Sequence, residues 1–166
     1  MAEEVVLVAT GADRPGVMDE LSQFLLESGG NITDTHAVNL RGRFAMLLLI
    51  KAEAGALARM RAGLPGLADR GIHIELQPAA PHNTTAFAYR FVASGKDQVG
   101  VLHRISHLLR VLKINIETAE TEVAPDSSFH IKLELSIPRE TPVTMAREYL
   151  TVLCKELGIS GALTEA

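Results

Sequence analysis

The stretch TGADRPGVMDELSQFLLESGGNITDTH, residues 10–36, recurs without a gap as SGKDQVGVLHRISHLLRVLKINIETAE, residues 94–120. A constant offset of 84 positions relates the copies, and the identical pairs are Gly11 and Gly95, Asp13 and Asp97, Gly16 and Gly100, Val17 and Val101, Ser22 and Ser106, Leu25 and Leu109, Asn31 and Asn115, and Ile32 and Ile116. An internal repeat of this length predicts one module of about 80 residues written twice. Val17, Leu25 and Ile32 are typical of a core, whereas Asp13, Gly16 and Asn31 stand at a turn and a strand start, where chemistry more often needs them.

The composition sets limits on the class of protein. Of the 166 residues, 47% are hydrophobic and 22% are charged, as in ordinary soluble globular proteins. A formal net charge of −4 argues against direct nucleic-acid binding through phosphate neutralisation. The single cysteine excludes an internal disulfide framework and fits a reducing compartment. The Met-Ala-Glu-Glu start indicates no signal peptide, and the longest apolar stretch, 44–50, is too short for a bilayer. We therefore expect a soluble cytoplasmic protein without membrane contact.

Hydrophobic periodicity predicts the same element order in both halves. The first half reads as a strand over 4–9, a helix opened by Pro15 and stopped by Gly29 and Gly30, a hairpin of strands 31–40 and 44–52, a helix starting near Leu57, and a strand over 72–76. Pro65-Gly66 is expected to break or kink that second helix before Leu67. The second half reads as a strand around Tyr89, a helix over about 99–112, an alternating strand over 129–137, and a helix opened by Pro142 and ended by Gly158.

This order, β-α-β-β-α-β, defines the ferredoxin-like arrangement, in which two helices cover one face of an antiparallel sheet. We expect an α+β protein of two tandem modules, at 1–78 and 85–166, joined by a proline-containing linker at 79–84.

The Asp13-Arg14-Pro15-Gly16-Val17 turn, followed by Gly30-Asn31-Ile32, resembles the ACT domain, a small-molecule sensor of amino-acid metabolism. The second half offers Asp97-Gln98-Val99-Gly100-Val101 and Ile114-Asn115-Ile116 at the same places. Two such modules in one chain look most like the glycine cleavage system transcriptional repressor group. The resemblance implies an effector site at the interface between two modules, lined by this loop and by the Asn-Ile strand start. It groups Asp13, Arg14, Gly16 and Asn31 in one site and Asp97, Gly100 and Asn115 in a second.

Elementary chemistry supports a ligand role for these residues. A helix N-terminus presents unpaired N–H groups and a partial positive charge, which suit a carboxylate. Asp13 can receive an ammonium group, and the Asn31 amide both donates and accepts. Each residue also has a structural interpretation, since Asp can cap a helix, Gly can serve close packing and Asn can tolerate a left-handed backbone. Gln98-Val99 in place of Arg14-Pro15 makes occupancy of the second site less certain than that of the first.

Other reactive side chains predict neither an enzyme nor a metal centre. His103 and His107 stand four residues apart, but they face away from the apolar stripe and lack a third ligand. Cys154 lies on an apolar helix and is expected to be a small buried hydrophobe. The acidic run of Glu117, Glu120 and Glu122 is typical of a solvated strand, while His36 and His130 have no evident catalytic partner.

The leading hypothesis is a regulatory protein that binds a small amino acid of the glycine or serine class and acts on a protein partner such as a transcription factor. It needs no cofactor, and a homodimer is expected because open sheets offer edges for pairing. The alternative is an interaction or oligomerisation module that binds no ligand. RNA binding by the same strand order would need aromatic residues on the sheet.

Overall fold

The protein, represented by a computed structural model that describes residues 1–81 and 86–166, divides into two compact units. The first unit is Met1–Pro81 and the second is His82–Ala166. The predicted linker, 79–84, lies partly outside the described residues, and the module limits deduced from sequence stay predictions.

Each unit contains the predicted β-α-β-β-α-β order. The elements of the first unit are β1 (Glu3–Ala12), α1 (Val17–Ser28), β2 (Asn31–Leu40), β3 (Arg43–Ala52), α2 (Ala54–Ala68) and β4 (Ile72–Pro78). Those of the second are β5 (Phe87–Lys96), α3 (Val101–Val111), β6 (Asn115–Val123), β7 (Ser128–Ile137), α4 (Val143–Leu157) and β8 (Ser160–Glu165). The sheets have the orders β2-β3-β1-β4 and β6-β7-β5-β8, with antiparallel neighbours throughout. The α+β, tandem ferredoxin-like fold class is confirmed.

Alternation along the central strands decides which face of each sheet is buried. On β7, the odd-numbered residues from Phe129 to Ile137 are buried, and the residues between them face outward. On β3, the even-numbered residues from Phe44 to Ala52 are buried in the same way. Each buried face joins the apolar stripes of its own two helices in a separate core. A sheet with one packed face is what period-two patterning requires.

The interruption predicted at Pro65 is wrong as far as a helix break is concerned. Helix α2 continues through Pro65 to Ala68. Pro65 removes only its own N–H from the helix, and its carbonyl still accepts a hydrogen bond from the Asp69 N–H at 3.0 Å. The last turn places Leu67 in the core with no exposed surface. Burial of Leu67 therefore outweighs the local preference of Pro65.

Two aromatic residues on regular elements of the second unit are half exposed. Tyr149 on α4 and Phe87 at the start of β5 retain 52% and 47% of their surface. The guanidinium of Arg139 lies 5.3 Å from the centre of the Phe87 ring.

Helices α1 and α3 are each followed by a residue with left-handed backbone, which is a glycine after α1 and a lysine after α3. After α1, the Gly29 N–H donates to Leu26 O at 3.0 Å, with Gly29 at φ 84°. After α3, the Lys113 N–H donates to Arg110 O at 3.0 Å, with Lys113 at φ 58°. Lys113 thus occupies a left-handed position that favours glycine.

We expect Lys113→Gly to stabilise the second unit by about 1 kcal/mol, because it removes the contact between Cβ and the carbonyl that left-handed backbone imposes. Greater freedom of the unfolded chain offsets part of this gain. Urea unfolding measures the change. The converse variant, Gly29→Lys, should destabilise the first unit, and stabilisation by both substitutions would contradict the explanation.

Candidate functional site

The loop between β1 and α1 places Asp13 beside the β2–β3 hairpin. The Asp13 N–H donates to Gly42 O at 2.9 Å, and the Asn39 side-chain amide donates a hydrogen bond to the Asp13 carboxylate. In the second unit, the Asp97 N–H makes the equivalent bond to Ser127 O at 2.9 Å. Both aspartates are thereby held at the same end of their sheets.

Gly16 and Gly100, rather than the aspartates, stand at the N-caps of α1 and α3. Their φ angles are 90° and 89°, and within the described residues no side chain caps either helix. A methyl group added at either glycine would meet open space, as far as the described residues extend. Close packing therefore does not explain these glycines, whereas the left-handed backbone does. This conformation leaves the first-turn N–H groups of both helices without a side-chain acceptor at the cap.

Arg14 forms part of an ion-pair network. Its Nη2 lies 2.6 Å from Glu20 Oε2, and Arg70 Nη1 lies 2.8 Å from Glu20 Oε1. The hydrogen bond from Arg14, together with the positive charges of both arginines, lowers the pKa of Glu20. Arg14 therefore stabilises the first turn of α1, and a ligand carboxylate would have to compete with Glu20 for it.

Replacing Glu20 tests this network through pH. Because the folded-state pKa of Glu20 is lowered, its stabilisation is present above its ordinary pKa and is lost as pH falls through the folded-state pKa. We expect Glu20→Gln to lower Tm at pH 7, with the difference from wild type shrinking once the pH falls below 4.5. Glu27→Gln is the matched control, because Glu27 contacts Gln23 instead of a cation. A difference that is independent of pH would contradict the network.

A small cavity lies at the loop of the second unit. Its volume is about 220 Å³, and its lining includes Asp97, Gly100, His103 at the first turn of α3, and Glu122 on β6. This volume is below the range for drug-sized ligands, so the cavity suits a smaller molecule. The cavity brings two carboxylates close to the N-terminus of α3. A zwitterion has an ammonium group that suits the carboxylates and a carboxylate that suits the positive end of the helix.

The two helix N-termini differ in charge. The first turn of α1 carries Asp19 and Glu20, whereas that of α3 carries no acidic residue and contains His103. Acidic side chains at a helix N-terminus compete with an anionic ligand for the same partial charge. An anionic group at the second loop would therefore meet less competition from acidic side chains of the first turn than one at the first loop.

Neither unit brings its strand-start asparagine to this loop. The register places Asn31 level with Glu4, near the start of β1, whereas Asp13 follows the last residue of that strand. At roughly 3.3 Å per residue, the two side chains start about 30 Å apart. Within one unit, Asp13 and Gly16 therefore lie far from Asn31, and Asn115 stands in the same relation to Asp97, while the grouping of these residues in a site between modules stays a prediction. One small ligand could contact both residue types only if they came from different modules.

Neither asparagine has the left-handed backbone that would explain it structurally. The non-glycine residues with positive φ in the described chain are Arg41, Lys113 and Ser127. Asn31 and Asn115 are ordinary first residues of strands, and the Asn115 amide donates to Glu117 Oε1 at 2.8 Å.

The remaining candidates have structural explanations. His103 and His107 are exposed, with ring centres 6.1 Å apart. Across residues 1–81 and 86–166, no three His, Cys, Asp or Glu side chains are grouped to hold a metal ion. Cys154 is buried, as predicted, and burial raises the pKa of its thiol. None of the helices in the described part of the chain is long and apolar enough to span a membrane.

Sequence reasoning missed Asn39 and Glu122 as parts of these loops. Both lie near the ends of strands that follow the helices, far along the chain from the aspartates. The signal that finds them is the hairpin register, which pairs Asn39 with Phe44 and Glu122 with His130. Val123 corresponds to Asn39 in the second unit, so the amide contact of Asp13 has no equivalent at Asp97.

The family comparison agrees with this geometry. Residues 3–77 match the family model for the ACT domain. The matched residues make up most of the first unit, and the second unit has the same strand order and loop residues.

The chain is similar along its length to the glycine cleavage system transcriptional repressor of Escherichia coli (strain K12). The identity is 23% over 175 residues, which cover 96% of this chain and 88% of that protein. The same values hold for the repressor of Shigella flexneri.

Solved structures share the fold. A structure described as that of a proposed glycine cleavage system transcriptional repressor has a TM-score of 0.76 at 21% identity, covering 99% of this chain and 97% of that one. A protein of unknown function from Galdieria sulphuraria has a TM-score of 0.86 at 22% identity, covering 100% and 99%.

Proposed function

We propose that this protein is an amino-acid-sensing regulatory protein that binds a small amino acid of the glycine or serine class at its β–α loops and acts on a protein partner. The observation that carries the proposal is the cavity of about 220 Å³ at the second loop, bounded by the N-terminus of α3, Asp97 and Glu122. Two comparisons support a regulatory role. Residues 3–77 match the ACT-domain model, and the relative matched over 96% of this chain is named as a transcriptional repressor.

The cavity supplies both halves of amino-acid recognition. The first-turn N–H groups of α3 receive the ligand carboxylate, because Gly100 lets the backbone enter the helix from a left-handed conformation without a side chain in the way. The carboxylates of Asp97 and Glu122 receive the ammonium group. The volume of about 220 Å³ suits a small amino acid.

Regulation follows from differential binding. An effector that binds one arrangement of the protein more tightly shifts the population toward that arrangement. The partner responds because it binds the two arrangements with different affinities. Coupling of about 1–3 kcal/mol is sufficient for such control.

Calorimetry with glycine and serine, after a thermal-shift screen of the twenty amino acids and folate derivatives, tests the proposal. A ligand that binds only the folded state must raise Tm. We expect Glu122→Gln to weaken binding by about 10- to 100-fold, since a hydrogen bond to a charged group contributes roughly 1.5–3 kcal/mol. Glu120→Gln, the same change two residues away and outside the cavity lining, should bind as the wild type does.

Equivalent variants in the two loops identify which site is occupied. Asp97→Asn should weaken binding at the second loop, whereas Asp13→Asn should reduce the stoichiometry only if the first loop also binds. Normal binding by the double variant Asp97→Asn, Glu122→Gln would exclude the assigned site. A flat response across the whole panel would instead favour an interaction module that binds no ligand.

RNA binding is not supported by the sheets. Phe44, Tyr89, Phe91 and Phe129 are all buried on the helix-covered side. They are therefore not available to stack with bases as RNA-recognition sheets require, and Phe87, the half-exposed aromatic residue at the start of β5, lies beneath the Arg139 guanidinium.

A further inference from the structure

The two sheets differ in the face that their helices leave uncovered. In the first unit, outward residues of the central strands are apolar: Val6 and Val8 on β1, and Leu47 and Leu49 on β3. Leu47 retains 50% of its surface, and Val38 on the neighbouring β2 retains 65%. We call these five residues the apolar face.

The equivalent face of the second unit is charged. Val92 pairs in register with Lys132, and Arg90 pairs with Glu134. Arg90 Nε lies 2.8 Å from Glu134 Oε1, and Lys132 Nζ lies 3.6 Å from Glu120 Oε2. One fold therefore carries a face with charged pairs in one unit and an apolar face in the other. Contiguous exposed apolar surface on a soluble protein marks an interaction site.

The strand register arranges the apolar face in rows with polar ends. Across β2-β3-β1-β4, one row reads His36, Leu47, Val8, Glu75. The next row reads Asp34, Leu49, Val6, Gln77. Each row has apolar residues in the middle and hydrogen-bonding groups at its two edges.

Such rows are complementary to themselves. A two-fold axis parallel to the strands reverses the order of the strands but preserves the position along them. Each row then meets its own reversed copy, so His36 faces Glu75 of a second copy and Leu47 faces Val8 of that copy. An axis across the strands would instead bring Glu75 against Glu75, which like-charge repulsion disfavours. Asp34 and Gln77 face each other under the strand-parallel axis, as an acceptor and a donor.

The uncovered side of the first sheet is larger than the apolar face at its middle. Three strands of ten residues and one of seven, about 4.8 Å apart, span roughly 600 Å² a side, so an interface centred on the five apolar residues belongs to the small, weakly associating class below about 1,200 Å² in total. Face-to-face packing of two sheets about 10 Å apart is a common arrangement in β-sandwiches.

We propose that two copies of this chain associate through the apolar face of the first unit, with the two sheets face to face around a two-fold axis parallel to their strands. The occupant of the face is a second copy, because its row order matches itself in apolarity and in the hydrogen-bonding groups at the row ends. The proposal does not depend on ligand binding, since it uses none of the loop residues.

Sedimentation equilibrium of the full chain tests the surface. Leu47→Lys gives the first unit the residue type that the second carries at Lys132, and it should raise the dimer dissociation constant at least about tenfold. Val92→Lys, a similar change on the open face of the second unit, should leave the constant within about twofold of wild type. Monomeric wild type at every concentration, or an unchanged constant for Leu47→Lys, overturns the proposal. Circular dichroism confirms that each variant is folded.

A charge swap at exposed positions tests the axis and remains decisive if Leu47→Lys does not fold. His36→Glu places two carboxylates opposite each other and should weaken the dimer by about tenfold or more. Adding Glu75→Lys should restore association in the double variant, because the opposite charges again face each other across the two-fold axis. Lack of rescue overturns the strand-parallel arrangement.

Discussion

Leu133→Ala is expected to destabilise the second unit by roughly 2–5 kcal/mol, the range for truncating a fully buried leucine. Leu133 lies at the middle of β7, pairs in register with Phe91 on β5 and Ala119 on β6, and has no exposed surface. The cost combines the lost transfer free energy with that of the cavity left behind, which close-packed neighbours only partly fill. A module of about 80 residues has a small core, so this loss is a large part of its stability.

Tyrosine fluorescence during urea unfolding reports this change selectively. The chain has no tryptophan, and both tyrosines, Tyr89 and Tyr149, lie in the second unit. Lys132→Ala, the adjacent outward residue of β7, is the surface control and should cost less than about 1 kcal/mol. Leu48→Ala is the control for selectivity. It removes the same atoms from an equally buried leucine in the first unit, which contains no tyrosine. A shift for Leu133→Ala no larger than that for Lys132→Ala would contradict the packing described for β7.

Gly11→Ala should destabilise the first unit by about 2–3 kcal/mol or more, the cost of overpacking against groups that cannot move. A Cβ at Gly11 would overlap the carbonyl oxygen of Gly71 and lie 2.8 Å from Phe44 Cε1. Gly11 lies in β1 between its pairs with Phe44 on β3 and Ile72 on β4, so relief requires separation of paired strands. The repeated glycine before each loop is therefore explained in the first unit by backbone approach.

Gly66→Ala provides a control of identical chemistry and opposite expected sign. Gly66 lies in α2, and a Cβ there would meet open space within the described part of the protein. Alanine in a helix interior is favoured over glycine by up to about 1 kcal/mol. Thermal unfolding followed by circular dichroism compares the two variants. If both shift Tm in the same direction, the steric explanation for Gly11 is wrong.

The fold was predictable because the sequence patterns that indicate it are local and occur in both halves of the chain. Alternation on β7, the helix stops at Gly29 and Gly158, and the repeat itself each indicated the same topology, and the structure confirms it. Errors arose where a tertiary contact outweighs a local preference. Leu67, which is fully buried, keeps α2 intact beyond Pro65.

The candidate site was only partly predictable from sequence. The aspartate and glycine of each loop are close along the chain, so their proximity follows from a short turn. Asn31 is equally prominent in the repeat, yet the register places it at the far end of the sheet. Glu122 reaches the second loop only because β6 pairs with β7.

By itself, the sequence determined that the protein has two β-α-β-β-α-β modules, with one loop motif copied in each, because periodicity and repetition are properties of the chain. Only the tertiary structure decided which carboxylates share a cavity with a helix N-terminus, and that one sheet presents apolar rows with polar edges. Those relations depend on strand pairing, which joins residues distant along the chain. Pairing register, unlike periodicity, depends on the packing of the whole sheet.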